Sequence, residues 1–281
     1  MKIERTKNAT RNIAFGTILK IYQILLPFIM RTAMIYFMGV EYLGLNSLFT
    51  SILQVLSLAE LGVGSALVFS MYKPIVEDDT DMICALMNLY KKYYRIIGLV
   101  IAVIGVALTP VIPHLVKSDL PSGMNLYILY YLNLSVTVVS YWLFGYMNSL
   151  FEAHQRVDVT SKVMLITNTV MYAAQFAVLY FLRDYYIYLV VALLTQIFTN
   201  ILTAILSRKM YPQYKARGKL DKEQIKKINR RVRDLFTAKL GAVVVGSVDT
   251  LVISAFLGLT DLAIYQNYYN GVLSYALLRS F

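Results

Sequence analysis

The stretch 12–39, NIAFGTILKIYQILLPFIMRTAMIYFMG, decides the fold of this chain, because it is an apolar run that carries Lys20 and Arg31. At about 1.5 Å per residue the run exceeds the roughly 30 Å hydrocarbon core of a bilayer. A charged side chain at mid-bilayer costs about 2.5–3.5 kcal/mol on insertion scales, so it is seldom kept for packing alone. The stretch therefore predicts a membrane-spanning helix whose charged face is turned away from lipid.

A later stretch, 235–258 (LFTAKLGAVVVGSVDTLVISAFLG), repeats this pattern 219 residues further on, the difference between Gly258 and Gly39. With those two glycines superposed, Lys20 falls on Lys239, and the segments that follow read GVEYLGLN against GLTDLAIY. A charge that recurs at one depth in two halves is typical of membrane transporters built from internal repeats. Both stretches are predicted to run outwards, so the repeats are parallel.

The composition excludes a soluble domain. Apolar residues make up 58% of the 281 residues, only 15% are charged, and the mean hydropathy is +0.58. Eight apolar runs lie at about 13–38, 47–71, 96–116, 126–151, 163–182, 186–206, 235–258 and 262–281. Runs of this length can cross a bilayer, so the sequence predicts an all-α polytopic transmembrane helical bundle.

The net charge of +11 is distributed unevenly between alternate loops. The segments before helix 1 and between helices 2 and 3, 4 and 5, and 6 and 7 hold 4, 4, 2 and 11 Lys and Arg residues, whereas the other loops hold only Lys117 and Arg183. By the positive-inside rule, this predicts a multi-pass protein with a cytoplasmic N-terminus. The basic balance indicates contact with anionic membrane lipids. It does not indicate nucleic acid, because no basic stripe outside the membrane interleaves with stacking aromatics.

Three segments are predicted along the chain. Helices 1 to 6 form a first lobe over 1–206, a basic linker covers 207–234, and helices 7 and 8 begin a second lobe over 235–281. A two-lobe parallel-repeat transporter needs four further helices. We therefore expect the second lobe to be truncated, and the chain to be a fragment that stops at Phe281.

The linker is predicted to contain an amphipathic helix. Its apolar positions are Ile225, Ile228, Val232 and Leu235, and its basic positions are Lys226, Lys227, Arg230, Arg231 and Arg233. Such a helix either lies in the inner headgroups or forms a solvated connection. A second amphipathic segment, 73–95, is also expected to lie at the inner headgroups.

Lys20 and Arg31 are eleven residues apart, which places them within about 20° of one helix face and about 16 Å apart along the axis. Gln23 lies close to the same face. We expect this stripe to line a protein interior or a water-filled cavity. The alternatives are that Lys20 snorkels to the inner surface and that Arg31 forms a structural ion pair.

Glu60 lies in the inner half of helix 2, within LAELGVGSAL, near the predicted depth of Lys20. An ion pair between Lys20 and Glu60 would offset part of the cost of burying both charges. Gly62 and Gly64 permit either close helix packing or a local break in the helix.

Asp249 lies nine residues before the glycine that ends its run, and Arg31 lies eight before its own, so the two are nearly level in the outer half. We predict an outer gate in which Arg31 and Asp249 meet across the cleft when the cavity faces inwards. Arg279 occupies the position in the second repeat that Glu60 occupies in the first, with the opposite sign.

Cations outnumber anions inside the predicted spans. The cations are Lys20, Arg31, Lys239 and Arg279, and the anions are Glu60 and Asp249. A surplus of two positive charges suits a phosphate or diphosphate, which Arg binds through two parallel hydrogen bonds. Polar aromatic and amide side chains in helices 4 to 6 would suit a glycan, or else serve interfacial belts and helix packing. They are Tyr130, Tyr131, Asn133, Tyr141, Trp142, Tyr146, Asn148, Asn168, Tyr172, Gln175, Gln196 and Asn200.

Neither catalysis nor a cofactor or metal site is predicted. The sequence lacks HExxH, GxSxG and phosphate-cradling glycine loops. Cys84 is the only cysteine, and His114 and His154 are expected on opposite sides of the membrane. The acidic run 77–81 is interpreted as a solvated turn. We expect no enzyme activity.

Three stretches, taken in order, resemble one family. They are RNIAFGTILKIYQILLPFIMRTAMIYFMGVEYLGLNSLF at 11–49, LSLAELGVGSAL at 56–67 and KLGAVVVGSVDTLVISAFLGLTDLAIYQNYYNGV at 239–272. Together they resemble the polysaccharide-export branch of the multidrug/oligosaccharidyl-lipid/polysaccharide exporter superfamily. The resemblance implies two six-helix lobes around a central cavity, alternating access, and basic cavity residues that engage a diphosphate.

The resemblance also implies a function. It is that of a flippase for an undecaprenyl-diphosphate-linked oligosaccharide in the bacterial inner membrane, with polysaccharide assembly proteins as partners. Carried over by position, Arg31 is the first cavity candidate, followed by Lys20, Lys239 and Asp249, and many members have Asp where this chain has Glu60. The alternatives are a multidrug or small-molecule antiporter on the same scaffold and a membrane-embedded glycan polymerase.

Overall fold

The computed structural model describes residues 5–60, 62–116 and 123–279. Within these ranges it also describes the side chains, except those at 5, 7, 59, 242–246 and 270–279. Helices dominate this part of the chain. They are α1 (Arg5–Phe37), α2 (Val40–Leu56), α3 (Val63–Val76), α4 (Thr80–Ala107), α5 (Leu126–Trp142), α6 (Asn148–Ala153), α7 (Val157–Ala177), α8 (Tyr185–Met210), α9 (Lys222–Phe256) and α10 (Leu259–Arg279). The predicted all-α polytopic fold is confirmed.

The repeat predicted from the sequence has a counterpart in the backbone. Gly39 and Gly258 both adopt positive φ, +119° and +104°, which a side chain would disfavour. Each glycine N–H donates back into the helix that it ends, to Met34 O at 3.2 Å and to Ile253 O at 3.1 Å. In both places the next helix begins at the following residue, so α1–α2 and α9–α10 are two equivalent helical corners.

These two corners pack against each other through α2 and α10. A Cβ placed at Gly44 would collide with the Leu259 backbone, so the helices cross there at close range. The superposition pairs Leu43 with Leu262, and both are buried. It also pairs Leu45 with Ile264, but Leu45 is fully buried whereas Ile264 is 49% exposed. The repeat is therefore close at the corners and diverges within a turn of them.

Several long helices carry exposed apolar side chains. α1 packs mainly against α7 and leaves Ile18, Leu25 and Phe28 exposed. Three single helices are long and apolar enough to cross a membrane, at 8–37, 157–182 and 185–210. This described part of the chain has up to five such spans if two bent pairs are each counted as one. Apolar side chains that point away from the core fit a lipid environment.

Two predicted spans are bent or broken. α4 meets a short 3-10 segment, Thr109–Leu115, at 61°, and α5 meets the segment 145–153 at 48°. Helix 2 is divided into α2 and α3 by a 3-10 turn, Ser57–Glu60, and by Gly62 in the left-handed conformation. Both alternatives for Gly62 are therefore observed, because the helix breaks there and α9 packs closely against the break.

The basic linker does not form a separate interfacial helix. Its amphipathic part begins at Lys222, with a capping box at Asp221, and continues without interruption as α9 to Phe256. The helix spans 35 residues, which is about 52 Å at 1.5 Å per residue. Its apolar stripe packs on the first lobe, where Ile228 is only 4% exposed. Packing on protein, rather than on lipid headgroups or in solvent, explains this stripe.

The segment 73–95 also differs from expectation. It contains the end of α3, a turn, and the first half of α4, so it forms no separate helix at the headgroups. Asp79, in the acidic run, caps α4 by accepting the Met82 N–H at 2.9 Å. A hydrophilic start to a long transmembrane helix accounts for the amphipathic pattern.

Candidate functional site

The break in helix 2 borders a polar cavity that contains the predicted site residues Glu60 and Lys239. Gly62 has a φ of +87°, and a Cβ there would lie 2.7 Å from Val232 O and 2.8 Å from the Leu235 Cβ. α9 therefore approaches the break so closely that only glycine fits. The turn before the break positions Glu60 towards α4 and α5.

Two tyrosines hold the carboxylate of Glu60. The Tyr94 hydroxyl donates to Glu60 Oε1 at 2.8 Å, and the Tyr141 hydroxyl donates to Glu60 Oε2 at 3.1 Å. Tyr90 donates in turn to the Tyr94 oxygen at 3.1 Å. The rings of Tyr90 and Tyr141 pack edge-on against that of Tyr94, with centroids 4.5 and 5.3 Å away. These bonds stabilise a charge inside the bundle without a cation.

Glu60, Tyr90 and Tyr94 line a cavity of about 330 Å³ that we call the inner pocket. Its lining residues are Glu60, Gly62, Gly64, Ser65, Tyr90, Tyr94, Gly145, Asn148, Glu152 and Lys239. Lys239 reaches it from α9 and donates to Ser65 Oγ at 3.2 Å, and Asn148 donates to Glu152 Oε1 at 2.7 Å. The pocket thus joins the first lobe to the start of the second.

The inner pocket is locally acidic, with two carboxylates and one ammonium group among its lining residues. Gly64 helps to keep it open, because a Cβ there would lie 2.8 Å from the Tyr90 hydroxyl. Side chains at this site can donate and accept hydrogen bonds, and the ammonium group can approach an anion. This part of the cleft therefore lacks the surplus of positive charge that the sequence predicted for the spans as a whole.

The predicted outer gate residues lie on different helices and contact other groups. Arg31 is half-buried, and its Nη1 donates to the backbone oxygen of Gln266 in α10 at 3.2 Å. Asp249 accepts from the Tyr265 hydroxyl at 2.9 Å. Among the described side chains, no ion pair joins Arg31 to Asp249. The gate remains a prediction, and this conformation shows the two groups apart.

The remaining predicted residues are placed less centrally. Lys20 and Gln23 lie on an exposed face of α1. Among the ion pairs of the described residues, none joins Lys20 to Glu60, and the lysine that lines the inner pocket is Lys239. The side chain of Arg279 lies outside the described residues.

Several aromatic and amide residues of helices 4 to 6 have packing roles within the first lobe. Tyr130 is buried and donates to Gly105 O at 2.8 Å. Gln175 donates to Tyr188 O at 3.2 Å. These contacts favour the helix-packing alternative for part of the set, whereas Asn148 lines the inner pocket and Tyr141 donates a hydrogen bond to Glu60.

Sequence reasoning missed Tyr90, Tyr94 and Glu152. A signal was available, because Tyr90 and Tyr94 are four residues apart, as are Asn148 and Glu152, and such pairs share a helix face. The described residues hold no group of three or more potential His, Cys, Asp or Glu ligands for a metal ion.

Comparison with known proteins gives one match. A family model described as "Polysaccharide biosynthesis protein" matches residues 9–276, which is nearly the whole chain. No curated protein and no solved structure matches this sequence. The match confirms the resemblance identified from the three sequence stretches.

Proposed function

We propose a transport function from one premise, that the chain belongs to the polysaccharide biosynthesis protein family. Membership makes it a multi-pass membrane protein of polysaccharide synthesis. The proposed activity is that of a flippase that moves an undecaprenyl-diphosphate-linked oligosaccharide from the inner to the outer leaflet of the bacterial inner membrane. The observation that carries the proposal is the match over residues 9–276.

The proposed mechanism is alternating access, with the inner pocket at the cytoplasmic mouth. Gly62 forms the contact between the first lobe and α9, so a change in the tilt of α9 would move Lys239 relative to Glu60. Lys239 and the deeper Arg31 are proposed to bind the diphosphate in turn, because ammonium and guanidinium groups both form charge-assisted hydrogen bonds with phosphate. No covalent step is proposed.

The proposal is tested by comparing the defect expected from loss of a flippase with the defect expected from loss of a polymerase. Deletion of the gene for the full-length protein should leave complete lipid-linked repeat units on the inner leaflet, where an added impermeant glycosidase or lectin cannot reach them in intact spheroplasts. A lost polymerase would instead leave single units on the outer leaflet. Unchanged surface glycan without accumulation of inner-leaflet units would overturn the flippase proposal.

One observation favours a second candidate, a cation antiporter on the same scaffold. The inner pocket holds two carboxylates against one lysine, which suits a cationic ligand better than a diphosphate. Everted vesicles that contain the full-length protein should then exchange organic cations for protons or sodium. Absence of such exchange, with lipid-linked substrate still transported, would exclude this candidate.

A further inference from the structure

The N-terminal part of α9 carries a basic face that the packing leaves uncovered. We call it the basic ridge, and its residues are Lys226, Lys227, Arg230 and Arg233. All four are exposed, and together with Glu223 and Asn229 they line an open groove of about 600 Å³. Glu223 is the acidic residue of this groove, and it is already paired with Lys227 at 2.9 Å. The described lining of this groove thus contains four cationic side chains and one carboxylate.

The orientation of the ridge is set by contacts of the helix positions that lie beside it and opposite to it. Tyr93 donates to Asn229 Oδ1 at 2.6 Å, and Arg231 donates to Ser70 Oγ at 3.1 Å. Ile228 is buried against the bundle. Because Ile228 lies on the side of the helix opposite to Lys226, Arg230 and Arg233, its burial turns these three cations away from the first lobe, and Asn229 and Arg231 make their contacts from the flanks.

The depth of the ridge follows from the contacts of Arg231. Its guanidinium group lies 4.3 Å from the ring centroid of Phe69, which packs edge-on against Tyr72. Both aromatic rings are exposed, near the inner end of α3. Exposed aromatic side chains at the end of a transmembrane helix are typical of the membrane–water interface. The ridge, within five residues of Arg231, therefore lies at the level of the lipid headgroups.

We propose that the basic ridge binds anionic phospholipid headgroups of the adjacent leaflet, and that it prefers a lipid with two phosphates. Lys226, Arg230 and Arg233 are three or four residues apart on one face, so neighbouring cations are about 5–6 Å apart at Cβ. Clusters of four or more cations next to a transmembrane helix attract anionic lipids. The row from Lys226 to Arg233 covers about 10 Å along the helix axis, so a lipid with two linked phosphates can engage more of its cations than a lipid with one.

The ridge is distinct from the inner pocket, and the proposal does not depend on the proposed function. Binding can be measured on purified full-length protein without any transport assay. The probe is cardiolipin titrated against phosphatidylcholine in nanodiscs or detergent, with retained lipid counted by native mass spectrometry. The expected result is retention of cardiolipin at a concentration at least about tenfold lower than phosphatidylcholine, with weakening as salt is raised.

Two quadruple variants make the test specific. The ridge variant K226Q/K227Q/R230Q/R233Q should lose about tenfold or more in cardiolipin affinity. The control variant K209Q/K215Q/R217Q/K219Q removes the same charge from exposed sites outside α9 and should change affinity less than twofold. A K226R/K227R variant should keep full affinity, because it preserves charge. Thermal unfolding of each variant checks that the fold is intact.

Three results would overturn the proposal. One is equal cardiolipin affinity in the ridge and control variants. Another is binding that does not weaken with salt. The third is displacement of cardiolipin from the ridge by an isoprenyl diphosphate at a lower concentration than cardiolipin itself requires, which would assign the ridge to the transported lipid.

Discussion

Buried charge is stabilised differently at the two ends of the helical bundle, which we predict to be its inner and outer ends. At the inner end, Glu60 is held by two tyrosines of its own lobe, and Lys239 comes from the other repeat to the same pocket. At the outer end, Arg31 contacts a backbone oxygen of α10, and Asp249 contacts a tyrosine of the same helix pair. The inner end is thus a hydrogen-bond network within the first lobe, to which α9 adds Lys239. The outer end is a set of separate contacts between helices.

This difference shows that opposite charges at one depth do not have to pair. Phenol hydroxyls can stabilise a carboxylate, and a backbone carbonyl can stabilise a guanidinium group, so neither charge needs an ionic partner in the described conformation. Partners that are neutral leave the charges free to form new ion pairs when helices move. Four experiments would break or sharpen this comparison.

The largest effect is expected at the contact that holds the inner end together. Gly62→Ala should destabilise the protein by about 2–5 kcal/mol, because a side chain at positive φ costs about 1–2 kcal/mol and a clash with α9 adds about 1–3 kcal/mol. Thermal unfolding in detergent measures the loss. Gly16→Ala is the matched control, since nothing lies within 4 Å of a Cβ there. Equal melting temperatures for the two variants would contradict the close contact.

The next largest effect is expected when Glu60 is removed. Glu60→Ala leaves the Tyr94 and Tyr141 hydroxyls without their acceptor, and we expect transport to fall at least about tenfold. Glu60→Asp should retain part of the activity, because the charge remains with a shorter reach. Accumulated lipid-linked units in cells measure the defect. Wild-type transport in Glu60→Ala would remove the inner pocket from the mechanism.

A smaller but more informative effect is expected at the outer end. Arg31→Asp and Asp249→Arg should each reduce transport, and the double reversal should restore it if the two groups meet in another conformation. Surface glycan synthesis measures the rescue. Without rescue, Arg31 and Asp249 would have independent roles, as their separate contacts in this structure suggest.

The smallest effect concerns pH at the inner surface. His154 lies between α6 and α7, and its Nδ1 is 2.8 Å from Leu150 O. Its ring stacks on that of Tyr211, with the ring centroids 4.3 Å apart. Burial lowers the pKa of His154, so the folded state binds fewer protons than the unfolded state near pH 6. Its contribution to stability is present above pH 6.5 and decreases as the pH falls. Unfolding temperatures at pH 8 and pH 5 should therefore differ less in His154→Phe than in the wild type; an equal difference would exclude His154 as the cause.

The fold was largely predictable, because long apolar runs and the repeated Gly39 and Gly258 positions are local signals. The break at Gly62 was one of two alternatives that the sequence allowed. The partners of Glu60 were not predictable, since Tyr94 and Tyr141 come from other helices and helical spacing carries no information about which faces meet. The continuity of α9 was missed for a related reason. Its amphipathic half has the same pattern whether the apolar stripe meets lipid or protein.

The two helical corners at Gly39 and Gly258 restrict how the outer end can move. Each corner joins two helices through so few residues that one helix cannot move without displacing the other. The contact between Gly44 and Leu259 ties one corner to the other. A tilt of α1 would therefore also move α2, and α2 would move α10, because the connections between them are short and closely packed. An opening at this end would then need bends elsewhere, and the chain is already bent after α4, after α5 and at Gly62.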